Sequence, residues 1–248
     1  MKLRALSANA LKILAITLMT IDHVFALFFP QVLWPRYICR SGFPIFTFFI
    51  AEGCIYTRNK AKRFIIIFVL ATLFQIVYSG VVFGFKEIGN LNILLTFSVS
   101  IPLIYLLQAF KKNLFRNNLI AISFLVAFIL GCVGSWFLCK EFCFCYGYFG
   151  ILLPVFTALV DLRGTAFSDR IKKLIDNHLT KLICTAIGLA LLPLTVPFFG
   201  AWQLMGLLGI LPLCFYSGEK GKGNLKYVFY VFYPLHFVVL YLIQFIIF

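Results

Sequence analysis

The stretch that decides the fold is Ile13-Leu-Ala-Ile-Thr-Leu-Met-Thr-Ile-Asp22-His23-Val-Phe-Ala-Leu-Phe-Phe-Pro-Gln-Val-Leu33, an apolar run interrupted by an acidic residue and a histidine. A helix of about 20 apolar residues crosses a hydrocarbon core about 30 Å thick. A charged side chain at the centre of such a helix costs at least about 2.5 kcal/mol. Asp22 and His23 therefore predict a functional site within a membrane span.

The composition of the whole chain extends this interpretation to a multi-span protein. Of its 248 residues, 62% are hydrophobic, and the mean hydropathy is +1.01. A soluble domain is about 45–50% apolar, so this chain has more apolar surface than a soluble core can bury. The net charge of +14 comes from Lys and Arg in short stretches between apolar runs, which excludes nucleic acid as the expected partner. The first run is too long for a signal-peptide core and is expected to stay as the first span.

The apolar runs predict an all-α helical bundle that forms a single membrane domain over residues 1–248. About nine spans are expected, at 13–33, 43–57, 64–85, 91–110, 118–138, 146–162, 182–199, 201–216 and 227–248. With a cytoplasmic N-terminus, all but four of the 22 Lys and Arg residues lie on the cytoplasmic side, which predicts an N-in, C-out orientation. Helical spacing of apolar residues near 168–179 predicts a short amphipathic helix on the membrane surface.

Three polar side chains are predicted to share one depth in the membrane. His23, Gln75 and His236 each follow a basic residue that marks the cytoplasmic boundary by ten to twelve positions. At about 1.5 Å per helical residue, each lies about 15–18 Å from that boundary. A common depth is what a central polar site requires, although helix spacing gives no lateral position.

Asp22 and His23 point in directions about 100° apart on one helix, so they are not expected to bond to each other. Arg36 and Arg40, in the following connection, are the candidate partners of Asp22. The alternative is a buried ion pair that only fixes helix packing. His23 is either a reactive base or a structurally satisfied histidine, and near neutral pH it is the side chain best suited to proton transfer.

The remaining polar positions leave similar alternatives open. Glu52 lines a vestibule or pairs with Arg58 or Lys60, and Asn92 contributes to a pocket or makes an interhelical hydrogen bond. The basic loops bind the phosphates of a cofactor or simply follow the positive-inside rule. The cysteines at 139, 143 and 145 favour a disulfide or interfacial packing over a metal site, and no metal is predicted.

Five blocks of sequence carry a resemblance to a known family. They are Leu11-Lys-Ile-Leu-Ala-Ile-Thr-Leu-Met-Thr-Ile-Asp-His23, Arg40-Ser-Gly-Phe-Pro-Ile-Phe-Thr-Phe-Phe-Ile-Ala-Glu-Gly53, Leu91-Asn-Ile-Leu-Leu-Thr96, Tyr146-Gly-Tyr-Phe-Gly-Ile-Leu-Leu153 and Phe229-Tyr-Val-Phe-Tyr-Pro-Leu-His236. In order and spacing, these blocks resemble the TraX family over almost the whole chain. The chain differs from the family pattern at Phe144-Cys145, where an acidic residue is usual, and at Tyr216-Ser-Gly218, where the family has Tyr-Asn-Gly.

The resemblance implies a multi-pass protein of the bacterial cytoplasmic membrane, named for conjugation, that uses acetyl-CoA as co-substrate for an acyltransferase reaction. The implied acceptor is an amine or hydroxyl on a peptide N-terminus, a glycan or a lipid, with acetylation of the pilin N-terminus as the founding activity. A small-molecule permease and a non-catalytic assembly protein are the alternative functions. The resulting site hypothesis has three parts: catalytic residues His23, Asp22 and Arg40; pocket or oxyanion residues Glu52, Gln75, Asn92 and His236; and cofactor-binding residues Arg58, Asn59 and Lys226.

Overall fold

The computed structural model describes residues 5–83, 86, 89–195, 200–223 and 225–247. The helices are α1 (Ala8–Phe28), α2 (Trp34–Cys39), α3 (Gly42–Tyr56), α4 (Lys60–Phe83), α5 (Ile93–Asn113), α6 (Asn118–Glu141), α7 (Gly147–Ala158), α8 (Asp169–Ile175), α9 (His178–Leu191), α10 (Gly200–Gln203), α11 (Ile210–Cys214) and α12 (Lys226–Ile247). Two short strands, β1 (Asn90–Leu91) and β2 (Cys143–Phe144), pair in parallel. The predicted all-α class is confirmed.

The number of helices able to cross a membrane is smaller than predicted. Within the described residues, five segments are long and apolar enough: Ala8–Phe28, Trp34–Tyr56, Lys60–Gly80, Ile93–Asn113 and Asn118–Glu141. A sixth arises if the bent pair Asp169–Ile175 and His178–Leu194 forms one span. The count of about nine is therefore not supported, because the apolar runs at 146–162 and 201–216 give helices of fewer than 18 residues, Gly147–Ala158 and Leu204–Cys214. The run at 227–248 gives α12, of 22 residues, which is not among these segments. The N-in, C-out orientation stays a prediction.

The predicted amphipathic helix near 168–179 is divided into two helices. Ser168 caps α8, which ends at Ile175, and Asn177 caps α9, which begins at His178. The two axes differ by 50°. The chain therefore turns at Asp176 and Asn177 and continues into the bundle, because α9 buries one face against α7.

Helix α3 lies at the centre of the bundle and packs against α1, α5 and α7. Its sequence is apolar on every face, as expected for a helix that is surrounded by others. Phe48, Ala51 and Cys54 are almost completely buried there. By contrast, α6 packs on α5 and α7 from outside, and Leu119 and Leu130 are exposed over 79% and 64% of their surface. Such apolar exposure fits contact with lipid.

Buried hydroxyl groups join the central helices through hydrogen bonds. The Ser100 hydroxyl on α5 donates to the Ile151 carbonyl of α7 at 2.6 Å. The hydroxyls of Thr157 and Thr185 lie 2.9 Å apart between α7 and α9. Bonds of this kind between small polar side chains are a common means of association between membrane helices.

The N-terminus of α1 is fixed to the chain that follows α11. The backbone amides of Ala8 and Asn9 donate to the carbonyls of Glu219 and Lys220 at 2.8 and 3.0 Å. The first amides of a helix have no partner within the helix, so these bonds satisfy them. They also place residues 215–222 beside the first turns of α1.

Candidate functional site

A cavity of about 880 Å³ lies among α1, α2, α3, α4 and α12. Its volume is within the range of about 300–1,000 Å³ that is usual for small-molecule sites. Two groups of polar side chains line it. We call Asp22, His23, Arg36, Arg40 and Tyr146 the histidine end, and Lys12, Arg63 and Lys220 the basic end.

At the histidine end, two histidines from opposite ends of the sequence are in direct contact. His23 Nδ1 on α1 lies 3.1 Å from His236 Nε2 on α12. His236 Nδ1 in turn lies 3.0 Å from the carbonyl oxygen of Phe232. His236 is 6% exposed, and its ring stacks on Phe232 and meets the ring of Phe237 edge to face.

This chain of contacts determines which nitrogen carries the proton on each neutral ring. A carbonyl oxygen only accepts, so His236 Nδ1 must donate to Phe232, and His236 Nε2 is then an acceptor. His23 Nδ1 therefore donates to His236, and His23 Nε2 keeps its lone pair. A neutral histidine with a defined lone pair in a cavity has the form required of a general base.

Asp22 faces Arg36, one of the two partners that the sequence suggested. The Arg36 Nε group lies 3.4 Å from Asp22 Oδ1, a long distance for a hydrogen bond. The Asp22 and Arg36 side chains are 14% and 27% exposed, and both line the cavity. Asp22 thus contributes a partly neutralised carboxylate to the histidine end.

Arg40 is positioned by Tyr146, a residue that the sequence analysis did not assign to the site. Arg40 Nη1 donates to the Tyr146 hydroxyl at 3.2 Å. Tyr146 has a positive φ of 64°, rare for a residue other than glycine, and its ring stacks on Phe43 with a centroid separation of 3.7 Å. The Tyr146-Gly block in the family resemblance was the available signal for this residue.

Two predicted pocket residues, Gln75 and Asn92, form a structural pair that does not line the cavity. Asn92 accepts from the amides of Leu94 and Leu95 and so caps α5. Its side-chain amide donates to Gln75 Oε1 at 2.8 Å and to the Ala71 carbonyl at 2.9 Å. These bonds hold α4 to α5, the interhelical role left open for Asn92.

Glu52 lines the cavity and also belongs to a set of buried charges. Its carboxylate lies 3.1 Å from Lys181 Nζ and 3.5 Å from Arg163, rather than beside Arg58 or Lys60. Asp161 accepts from both of these cations as well. We call Glu52, Asp161, Arg163, Asp176 and Lys181 the ion cluster. It joins α3, the chain after α7, and α9.

The ion cluster favours the charged form of Asp161, which follows α7. Burial raises the pKa of the Asp161 carboxyl, but hydrogen bonds from Arg163 and Lys181 outweigh burial and hold it below its ordinary value. Lys111 adds three bonds of 2.6–3.1 Å from its ammonium group to the carbonyls of Ala158, Leu159 and Asp161. This ammonium group therefore caps the C-terminal end of α7.

The three residues assigned to cofactor binding are not placed together at the cavity. The Arg58 side chain is exposed and does not line it. Asn59 accepts from the amide of Lys62 and so begins α4. Lys226 begins α12, and its side chain lies outside the described residues. Their binding role stays a prediction.

The cationic side chains that do line the cavity come from other positions. Lys12 is on α1, Arg63 is on α4, and Lys220 is in the segment bonded to the start of α1. Sequence reasoning used Lys12 and Arg63 only as markers of the membrane boundary.

The thiols of Cys139, Cys143 and Cys145 are free, so no disulfide joins these residues. Cys145 lines the cavity, and its thiol lies 3.1 Å from the Leu91 carbonyl. Burial raises the pKa of this thiol to about 11, which disfavours the thiolate. No group of three or more metal-ligating side chains occurs within the described parts of the chain.

Comparison with known proteins defines the class of protein. The family described as "TraX protein" matches residues 7–244, and the chain belongs to this family. Together with its apolar helices, this makes it a multi-pass membrane protein.

A particular relative is a probable fimbrial assembly protein, FimC of serogroup H1, from Dichelobacter nodosus. It is 27% identical over 247 residues, which cover 94% of each chain. No solved structure matches this chain significantly.

Proposed function

We propose that the protein is a membrane-embedded acyltransferase that moves an acetyl group from acetyl-CoA to an amine or hydroxyl acceptor. The observation that carries the proposal is the contact of His23 with His236 at one end of a ligand-sized cavity. In the neutral ring, His23 Nε2 keeps its lone pair, so it is suited to removing a proton from an acceptor.

The residues of the histidine end divide the chemical work. His23 Nε2 takes the proton of the acceptor as its nitrogen or oxygen attacks the thioester carbonyl carbon. The Arg40 guanidinium, oriented by Tyr146, stabilises negative charge on the carbonyl oxygen. The protonated His23 then gives its proton to the departing sulfur as the carbon–sulfur bond breaks, so the enzyme ends in its starting state.

The donor enters, in this proposal, at the basic end of the cavity, which faces the cytoplasm of a bacterium if the N-terminus is cytoplasmic. Lys12 and His23 are eleven residues apart on α1, which corresponds to about 16 Å along the helix. This distance separates the charged part of a donor from its reacting carbonyl.

The acceptor is proposed to be a pilin-like peptide. The support is the name of the Dichelobacter nodosus relative, a probable fimbrial assembly protein, together with membership in the TraX family. An N-terminal amine is a suitable nucleophile, and Asp22 at the histidine end offers it an attractive negative charge.

The test is turnover of radiolabelled acetyl-CoA by purified protein in nanodiscs, with a pilin peptide and a membrane extract as acceptors. His23→Ala is expected to lower transfer by about 10²- to 10⁴-fold, because a general base typically contributes that factor. His178→Ala is the matched control, since His178 bonds to the Leu213 carbonyl away from the cavity. Full transfer by the His23 variant would refute the assigned role.

A non-catalytic role in pilus assembly is the second candidate, favoured by the similarity to a probable fimbrial assembly protein. It predicts binding of a pilin peptide without consumption of acetyl-CoA. Wild-type protein that bound the peptide but released no free CoA would support this candidate over the acyltransferase.

A further inference from the structure

At the basic end of the cavity, no described carboxylate neutralises the positive charge of Lys12 or Arg63. No acidic oxygen in the described part of the chain lies within 4.0 Å of either cation. Glu52, the acidic residue that lines this part of the cavity, is already paired with Lys181 and Arg163. Like charges brought together without counterions favour an anionic ligand.

Arg63 is held against the cavity wall by the backbone of α3. A Cβ atom at Gly53 would overlap the guanidinium, so only glycine permits this approach. The guanidinium makes a long contact of 3.4 Å to the Ile50 carbonyl and also interacts with the Cys54 thiol, while its buried Nε atom has no hydrogen-bond partner among the described residues. A buried donor without a partner costs about 1–3 kcal/mol, so the guanidinium keeps hydrogen-bonding capacity that its protein neighbours do not use.

Lys12, the second cation of the basic end, is held by two aromatic rings. Its ammonium group lies 5.0 Å from the ring centre of Phe49 and 5.6 Å from that of Phe229. These contacts restrict the side chain, and no hydrogen bond ties its three donors to another group in the described part of the chain, so they can bind an anion. By contrast, Arg58 and Lys62 are exposed and do not line the cavity, as the positive-inside rule alone would place them.

We propose that Lys12 and Arg63 form a phosphate-binding subsite for a donor of the phosphopantetheine thioester class. The inference rests on the proposed function, because it locates the donor of that reaction. The phosphates lie between the two cations, with Lys220 adding positive charge from the segment after α11. The arm of the donor then spans about 16 Å to reach His23.

Calorimetric binding to the full-length protein in zwitterionic nanodiscs tests the subsite without any turnover. CoA is expected to bind at least about 10-fold more tightly than pantetheine, which has the same arm but no phosphate. Arg63→Gln and Lys12→Gln are each expected to weaken CoA binding by about 10- to 100-fold and leave pantetheine binding unchanged. Lys62→Gln, the matched control on α4, should bind CoA like the wild type.

Equal affinity for CoA and pantetheine would overturn the subsite, as would wild-type CoA affinity in both variants. Thermal unfolding of each variant identifies any loss of fold, and Arg63→Lys, which keeps the charge, should retain part of the affinity. The outcomes also separate the subsite from the reaction. Phosphate-dependent binding without acetyl transfer supports the subsite and refutes the acyltransferase, whereas transfer with an unchanged KM in Arg63→Gln refutes the subsite alone.

Discussion

His236 should act as a positioning residue for His23, and the size of its effect can be worked out from the structure. The substitution His236→Phe keeps a planar ring in a pocket where His236 stacks on Phe232 and contacts Phe237 edge to face. It removes the nitrogen that lies 3.1 Å from His23 Nδ1. The packing is therefore preserved while the hydrogen bond that fixes the His23 tautomer is lost.

The magnitude follows from the change in charge on His23 during the reaction. The bond from neutral His23 contributes about 0.5–1.5 kcal/mol, and the bond from protonated His23 contributes about 1.5–3 kcal/mol. The difference of about 1–1.5 kcal/mol acts only when His23 holds the proton. At about 1.36 kcal/mol per tenfold change in rate, kcat/KM should fall about 5- to 13-fold, and freedom of the tautomer adds to this loss.

The assay combines acetyl transfer in nanodiscs with ¹⁵N NMR of the histidine rings, which distinguishes a protonated from an unprotonated ring nitrogen. In the wild type, His23 should carry its proton on Nδ1, and in His236→Phe this preference should be lost. His236→Gln offers an acceptor oxygen at the same position and should recover part of the rate. His178→Phe should leave the rate unchanged, since His178 lies outside the cavity.

Two results would refute this reasoning. If His23 in the wild type carried its proton on Nε2, then the proposed chain from His23 through His236 to the Phe232 carbonyl would be wrong. A wild-type rate in His236→Phe would show that the contact has no part in the reaction, even if the tautomer were as expected.

Two further predictions concern the ion cluster. Lys181→Met should lower the free energy of unfolding by about 3 kcal/mol, the low end of the range for a broken buried pair, because Arg163 remains as a cation for Glu52 and Asp161. Thermal melting in nanodiscs measures this, and an unchanged Tm would contradict it. The pKa of Asp161 is lower in the folded protein than in the unfolded chain. Its contribution to the free energy of unfolding is therefore complete above the unfolded pKa near 3.9 and is lost as the pH falls through the lower folded value. Melting from pH 7 to pH 3 should therefore show a loss at the acidic end that is smaller in Asp161→Asn, and equal acid sensitivity in both proteins would count against it.

The sequence predicted the membrane class and singled out several residues that line the cavity, because those features depend on local patterns. Apolar runs identify helices that need a lipid or protein environment, and charges inside such runs stand out. The same local reasoning failed in the number of spans, where α7 and Leu204–Cys214 are too short to cross a membrane. Hydropathy shows where a chain is apolar, but proline and glycine decide where the helix breaks.

Gln75 illustrates what a prediction of depth leaves out. Helix rise placed Gln75, His23 and His236 at one level, and His23 and His236 are indeed in contact. Gln75 instead bonds to Asn92 between α4 and α5. Depth follows from counting residues along a helix, whereas the direction in which a side chain points depends on rotation of that helix against its neighbours.

The sequence by itself determined that this is an all-α membrane protein of the TraX type, with Asp22 and His23 within its first apolar helix. The tertiary structure alone decided the partners: His236 lies 213 residues from His23, and Lys181 lies 129 residues from Glu52. It also decided that Lys12 and Arg63 line the cavity, whereas the neighbouring Arg58 and Lys62 do not. The physical reason is that hydropathy and charge are properties of each segment, whereas contacts between segments follow from how the helices pack.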